Sequence, residues 1–316
     1  MPELPEVETI RRRLAPVLEG RRFEQVEIAD PRLTRPLDPF EVARELEGER
    51  VQTVDRRGKY LIVRFESGRA LLIHLRMTGS LRHARRGAEP GAFADDPHRR
   101  AVVRLDDGSH VAYRDVRRFG TWLLLEPADV DSYVDARVGR EPLDAAYKAK
   151  HLAQRLEKRR APIKAALLDQ RTVAGVGNIY ADEALWRAKV HPLTPANELT
   201  LDEVKAVHRG VRQSLQAGVR RQGSTLRDYQ LPDGSSGTAQ DRFKVYGRAG
   251  RPCERCGTPI DKIRAAGRGT WYCPTCQVVR GAAVRGTDAQ LGNSGAGYAA
   301  TRSSSRPSRS RRQSSV

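Results

Sequence analysis

All four cysteines of this 316-residue chain fall within 24 residues, as Cys253-x2-Cys256, a gap of sixteen residues, and Cys273-x2-Cys276. Two Cys-x-x-Cys turns at that separation suit one tetrahedral zinc ion, each turn supplying two thiolates. Four thiolates leave no position open for a further ligand, so the ion is structural. Two disulfides are the alternative, and a reducing cytoplasm disfavours them. The sixteen intervening residues predict a β-hairpin with Ala265-Ala266-Gly267-Arg268-Gly269 at its tip. An arginine flanked by glycines there is exposed. It is either a solvated turn cation or a charge that can be pushed into a groove.

The length predicts about two domains, with ample material for a core. No uncharged apolar run approaches the roughly 18 residues of a membrane span. The acidic N-terminus has no apolar segment of the secretory kind. These features predict a soluble, cytoplasmic protein with no membrane partner. Its formal net charge is +18, from 57 Lys and Arg against 39 Asp and Glu. Only nine of the basic residues are lysines, so arginine dominates, and codon bias accounts for some of that. The segment 281–316 carries six Arg and one Asp, so +13 remains on the rest of the chain. A pI near 10.3 favours a polyanionic partner, most simply nucleic acid.

The pattern along the chain predicts an α+β, multidomain protein. Residues 2 to about 20 read as a helix, with Val7, Ile10, Leu14 and Leu18 at helical spacing before Gly20. Short runs rich in Val, Ile and Leu follow: Phe23–Ile28, Arg50–Val54, Tyr60–Phe65, Ala70–Leu75, Ala101–Leu105, His110–Tyr113 and Thr121–Leu125. Strands of this kind argue for a β-sandwich or barrel. The polar stretch Arg85–Arg100 reads as a loop. From about Asp144 to Gln222 the pattern turns helical, with Thr200 and Glu203 placed as a capping box. Ala174-Gly175-Val176-Gly177-Asn178 breaks it into helices. The expected units are a sandwich over 2–135 with a flanking helix, a helical unit over 144–222, a mobile loop over 223–243 and a finger over 244–278. The Ser- and Arg-rich tail 281–316 lacks periodicity and is expected to be disordered.

The segment Pro2-Glu3-Leu4-Pro5-Glu6-Val7 has two readings. Pro near a helix start with acids in the first turn is ordinary helix chemistry. Removal of Met1, which the small Pro2 permits, would instead expose a nucleophilic secondary amine. Such an amine forms a cationic imine with an electrophilic sugar carbon, and the neighbouring Glu3 can move protons.

Seven segments decide between them. Pro2-Glu3-Leu4-Pro5-Glu6-Val7-Glu8, Arg57-Gly58-Lys59-Tyr60, His74-Leu75-Arg76-Met77-Thr78-Gly79-Ser80-Leu81, Arg114-Asp115-Val116-Arg117-Arg118-Phe119-Gly120, Val176-Gly177-Asn178-Ile179-Tyr180-Ala181, Val245-Tyr246-Gly247-Arg248 and the cysteine hairpin occur in that order. Over residues 2 to about 278 the chain resembles the bacterial formamidopyrimidine-DNA glycosylases of the Fpg/Nei family. The resemblance implies an N-terminal β-sandwich, a helix-two-turn-helix domain, a zinc β-hairpin finger and a monomer acting on damaged double-stranded DNA.

It also implies roles. Pro2 would attack C1′ of the damaged nucleotide, with Glu3 as general acid or base. Lys59 would sit near the lesion phosphate and donate a proton in β-elimination, and Arg268 would contact that phosphate and serve δ-elimination. Met77, Arg117 and Phe119 would fill the gap left by an extruded nucleotide, since an apolar wedge and a ring replace lost stacking. His98, Arg117, Arg159 and Asn178 match DNA-contact positions, with small residues before Asn178 letting backbone amides approach a phosphate. The activity implied is a bifunctional glycosylase and abasic-site lyase of base excision repair, directed at oxidised purines. An endonuclease VIII-like preference for pyrimidines and a non-catalytic zinc DNA-binding protein are the rivals. Two features depart from the family pattern. Ser235-Ser236-Gly237-Thr238-Ala239-Gln240 lacks the aromatic expected in the lesion-capping loop, and the basic tail is additional.

Overall fold

Helix α1 (Leu4–Leu18) buries Val7, Ile10, Leu14 and Leu18, the stripe its sequence predicts. These side chains join an apolar core shared by two four-stranded antiparallel sheets. In chain order the strands are β1 (Phe23–Ile28), β2 (Val51–Arg57), β3 (Tyr60–Phe65), β4 (Ala70–His74), β5 (Gly79–Ala84), β6 (Arg99–Leu105), β7 (His110–Asp115) and β8 (Thr121–Leu125). One sheet runs β1-β6-β7-β5 and the other β2-β3-β4-β8. The computed structural model describes residues 2–87, 95–226 and 229–279.

Register explains why β3 and β4 read as unbroken apolar runs. Leu61 pairs with Ile73 and Val63 with Leu71, and all four face the shared core. Ile62 and Leu72, one step along, point the other way, against Val130 and Val134 of α3 (Val130–Asp135). A strand buried on both faces loses the polar alternation that marks a half-exposed one.

Four helices make the second cluster: α4 (Ala149–Leu156), α5 (Ile163–Leu168), α6 (Asn178–Ala188) and α7 (Leu201–Arg220). Leu152, Leu156, Ile163, Leu167, Leu185, Val207 and Leu215 form its core, and Leu4 of α1 belongs to it too. Helix α1 therefore starts in one core and continues into the other, which sets Glu3 at the junction. The Thr200 cap is as expected: Glu203 N–H donates to Thr200 Oγ1 at 3.3 Å, and Thr200 N–H to Glu203 Oε2 at 2.9 Å.

Strands β9 (Asp261–Ala265) and β10 (Arg268–Tyr272) form the hairpin. Its turn is the pair Ala266-Gly267, with φ of 50° and 71°. Both residues lie in the left-handed region that two-residue hairpin turns favour. The five-residue tip expected from sequence is thus tighter, and Arg268 opens β10 as an exposed residue.

Helix α2 (Pro39–Leu46), α3 and β5 went unread in the sequence. The two helices are eight and six residues long, and Gly-Ser-Leu-Arg-His-Ala offers β5 a single large apolar side chain. Residues 99 and 100, assigned to a loop, open β6. In the 223–243 segment the described residues include a 3-10 turn at Ala239–Arg242. The tail 281–316 lies outside the described residues.

Candidate active site and zinc centre

Glu3 is 1% exposed, and its carboxylate accepts from three backbone amides opening α6. Gly177 N–H lies at 2.7 Å, Ile179 N–H at 2.9 Å and Tyr180 N–H at 3.4 Å. A helix N-terminus is a natural anion site. Sequence reasoning gave these amides to a phosphate; the structure gives three of them to the chain's own carboxylate. Only glycine permits this approach, since a Cβ on residue 177 would meet Glu3 Cδ at 2.4 Å. Gly177→Ala is accordingly expected to displace the carboxylate and destabilise the protein by about 1–3 kcal/mol. Urea unfolding checks this, and an unchanged midpoint would refute it.

Pro2 is buried beside Glu3. The Glu3 N–H donates to Glu6 Oε2 at 2.9 Å, while Glu6 Oε1 accepts from Tyr180 Oη at 3.0 Å and Ser224 N–H at 2.8 Å. Glu6 so links the start of α1, helix α6 and the base of the 223–243 loop. Sequence reasoning gave it no role, although a second carboxylate three residues after Glu3 is a capping-box signal.

Lys59, at the turn between β2 and β3, is 6% exposed. Burial lowers its pKa to about 8; Glu3 opposes that shift and Arg268 reinforces it. Burial raises the Glu3 pKa, and the Lys59 charge pulls it back. Asn178 Nδ2 donates to Gly269 O at 3.0 Å, beside Arg268. Pro2, Glu3, Lys59, Asn178 and Arg268 therefore converge, from segments spread over most of the chain.

A second group gathers around the buried Asp115. Its Oδ1 accepts from Thr78 Oγ1 and from Arg117 N–H at 3.2 Å, and its Oδ2 from Gly120 N–H at 2.7 Å. The turn carrying Met77 is thereby tied to the turn carrying Arg117 and Phe119. Phe119 is 52% exposed, with the Arg117 guanidinium 4.7 Å from its ring centroid. Arg118, at φ 58°, holds Asp30 through two bonds of 2.6 and 2.7 Å. His98 is half-buried, and its carbonyl accepts from Asp115 N–H at 2.9 Å. Arg159 stands apart from both groups, paired with Asp169 at 2.7 Å. Asp115 and Asp30 were missed because a buried acid leaves no periodic signature; Asp115 was visible only as part of a motif.

The four cysteine sulfurs lie within 4.8 Å of one another. Sulfurs about 2.3 Å from a central zinc would be spaced at roughly 3.8 Å, so the set fits a tetrahedral ion. Neighbouring groups hold it in place. Trp186 Nε1–H donates to Cys253 Sγ at 3.4 Å, Cys276 N–H reaches Cys273 Sγ at 3.4 Å, and Gln277 Oε1 accepts from Cys273 N–H at 2.9 Å. The hairpin docks on α5 and α6 through a buried ion pair, Lys164–Asp182 at 2.7 Å. Lys164 Nζ also donates to Thr270 Oγ1 at 2.7 Å and Gly269 O at 3.1 Å. Trp271 N–H donates to Asp182 Oδ2 at 3.1 Å.

An antiparallel sandwich, a helical unit and a four-thiolate finger meeting at one buried carboxylate define a class with known relatives. Residues 1–122 match the formamidopyrimidine-DNA glycosylase N-terminal domain, 138–230 its H2TH domain, and 250–278 the zinc finger found in FPG and IleRS. The formamidopyrimidine-DNA glycosylase of Chloroflexus aggregans is 46% identical over 280 residues, covering 88% of this chain and 99% of that protein. That of Bacillus subtilis is 42% identical over 279 residues, with shares of 88% and 99%. Wild-type Lactococcus lactis Fpg, solved with N7-benzyl-Fapy-dG-containing DNA, superposes with a TM-score of 0.80 at 38% identity, over 88% of this chain and 100% of that one. The same enzyme with abasic-site DNA gives 0.80 at 37%, over 87% and 99%. The chain belongs to the formamidopyrimidine-DNA glycosylase family, and its four cysteines form one structural zinc site.

Proposed function

We propose that the chain is a bifunctional DNA glycosylase and abasic-site lyase of base excision repair. It acts as a cytoplasmic monomer on oxidised purines, 8-oxoguanine and formamidopyrimidines, in double-stranded DNA. The observation that carries this reading is Glu3: a buried carboxylate, fixed by three amides, directly after the proline that removal of Met1 would make the chain's start. A carboxylate held above its ordinary pKa by burial is suited to carry a proton.

In this reading the sandwich (2–135) is catalytic, the helical unit (144–222) and finger (244–278) bind DNA, and the 223–243 loop covers the lesion. Met77, Arg117 and Phe119 enter the duplex and offset the few kcal/mol that extrusion costs. The Pro2 nitrogen forms a bond to C1′ as the C1′–base bond breaks, and Glu3 manages the protons. Ring opening then gives an imine. Its acidified C2′ proton is lost and the 3′ phosphate departs in β-elimination; δ-elimination releases the 5′ phosphate. Lys59, Asn178, His98 and Arg268 hold lesion-side phosphates, and Arg159 a phosphate further along once it leaves Asp169. Zinc keeps the hairpin folded and so sets Arg268.

Borohydride reduction during reaction with abasic DNA should leave protein and DNA covalently joined; absence of a cross-link would overturn the imine. Parallel rates on 8-oxoguanine and thymine glycol duplexes separate the purine reading from its pyrimidine rival. The pH dependence is a further prediction. Lys59 must be charged to donate, and its pKa is near 8, so single-turnover elimination on abasic DNA should fall as pH rises through about 8. Lys59→Arg, whose guanidinium keeps its proton throughout this range and cannot donate it, should be slower at every pH and lose that alkaline limb. Retention of the limb would remove Lys59 from the step.

A further inference from the structure

The segment 116–120 carries the chain from β7 in one sheet to β8 in the other. Between the buried Asp115 and the buried Gly120, residues 117–119 are all exposed. The proposed reaction uses Arg117 and Phe119 on the duplex and leaves Arg118, between them, without a role. Arg118 sits at φ 58°, where a side chain crowds the backbone and glycine is the usual occupant. The turn carrying Met77 has the same feature, with Arg76 at φ 50°. Such strain persists only where surrounding contacts over-determine the backbone.

For Arg118 those contacts can be named. Its Nε donates to Asp30 Oδ2 at 2.6 Å and its Nη2 to Asp30 Oδ1 at 2.7 Å, a two-bond fork between residues far apart in sequence. Exposed ion pairs usually contribute little, but the Asp30 side chain is only 4% exposed. Its Oδ1 also accepts from Arg32 N–H at 3.0 Å. The Arg118 hydrogen bonds hold the Asp30 carboxyl below the usual carboxylate range, so it stays charged. The Asp30 turn grips the chain again just past the segment, where Trp122 N–H donates to Leu33 O at 2.7 Å. Arg100 Nε lies 3.9 Å from Asp30 Oδ2 and donates to Asp115 O at 2.9 Å. The two acids beneath the segment are thereby bridged. The Arg117 guanidinium, by contrast, has no hydrogen bond or ion pair among the described residues, only the Phe119 ring at 4.7 Å. Asp30 pins the middle of the segment and leaves the side chains on either side available.

We infer that Asp30 is a positioning residue for nucleotide extrusion: by clamping Arg118 it sets Arg117 and Phe119 in their inserting arrangement before DNA arrives. Buried itself, it acts through Arg118. The inference rests on the proposed entry of Met77, Arg117 and Phe119 into the duplex. A wedge set in advance need not be ordered during insertion. Losing the clamp therefore slows extrusion and leaves the phosphate contacts elsewhere intact.

Extrusion is followed on the zinc-loaded full chain by stopped-flow fluorescence of 2-aminopurine beside an 8-oxoguanine in duplex DNA. Affinity for undamaged duplex is measured by titration. Asp30→Asn keeps the shape but removes the charge and one acceptor. It should slow extrusion by on the order of tenfold and change undamaged-duplex affinity by no more than about threefold. Arg118→Gly accepts φ 58° without strain but has no guanidinium, and it should slow extrusion to the same extent. Adding Asp30→Asn to Arg118→Gly should change the rate by less than about twofold, because both act through one contact. Phe119→Ala is the control for the wedge. If it slows extrusion while Asp30→Asn extrudes at the parent rate, the role of Asp30 is overturned and the wedge stands. If Phe119→Ala extrudes at the parent rate, the wedge and this inference fall together. Equal losses of extrusion and undamaged-duplex affinity in Asp30→Asn would reduce Asp30 to a structural part. A further tenfold loss in the double variant would show that it acts elsewhere than through Arg118. Either result overturns the inference. Should Asp30→Asn not fold, Arg118→Gly decides alone, and extrusion at the parent rate overturns the clamp.

Discussion

A chain carrying one extra residue ahead of Pro2 is expected to lose covalent capture on abasic DNA by on the order of 10³-fold or more. The extension converts the secondary amine into an amide, whose nitrogen lone pair is delocalised and cannot form an imine. Everything else at the site remains. Glu3 keeps its three amides, Lys59 stays buried, and Arg117 and Arg268 are untouched. Duplex binding should accordingly change by no more than about threefold, separating loss of the nucleophile from loss of the complex. Pro2→Gly is a poor substitute because glycine still presents a terminal amine. The companion variant is Glu3→Gln, whose single oxygen can keep the Gly177 and Tyr180 bonds made to Oε2 but not the Ile179 bond made to Oε1, and which cannot carry the proton. Base excision should fall by about 10²–10⁴-fold, while capture on pre-formed abasic DNA falls less, since no base remains to be expelled. An extended chain that is still captured at the parent rate would remove Pro2 from the chemistry. A Glu3→Gln chain that still excises at the parent rate would remove Glu3.

The sandwich was legible in the sequence because its strands are apolar on the inner face and short turns separate them. Phe23–Ile28, Tyr60–Phe65 and Thr121–Leu125 were bounded as the structure has them. Strand β5 was not, because Arg82 and His83 sit where apolar side chains would have marked it. The cysteine spacing foretold a cluster that the sulfur distances support. Less accessible were the acids that arrange the site without touching its surface. Glu6, Asp115 and Asp182 bind N–H and O–H groups, or ammonium, from segments 37 to 218 residues away or from another helix and the hairpin. Those distances exist only after folding. The same holds for Glu3: sequence placed a carboxylate after the proline, but only the fold shows that the amides opening α6 close around it. Surface arginines were the opposite case, obvious in number and ambiguous in duty, as the Arg159–Asp169 pair illustrates.

Stripping zinc with a strong chelator should eliminate abasic-DNA cleavage and weaken duplex binding by on the order of 10²-fold or more, while the sandwich stays folded. The argument begins with energy. Structural zinc contributes about 10–16 kcal/mol to folding of small thiolate modules, far more than the few side chains of this finger can replace. The finger core among the described residues is Trp186, Val245, Cys253, Ile260 and Cys273, two of them ligands. Without the ion the hairpin detaches, and Lys164 and Asp182 lose Thr270, Gly269 and the Trp271 amide. Arg268 and the Asn178–Gly269 contact go with them, so the phosphate clamp proposed above would be lost from a distance. Trp186 reports the event directly, since its ring lies 4.1 Å from the Arg255 guanidinium and its N–H meets Cys253 Sγ. Its fluorescence should change in step with metal loss, and sandwich strand content should not. Metal identity provides the decisive control. Four thiolates close the coordination sphere, so the ion touches no substrate, and cobalt or cadmium should restore cleavage to within about threefold of zinc. A strong dependence of the elimination rate on which tetrahedral ion is supplied would instead place the metal in the chemistry and contradict the closed site.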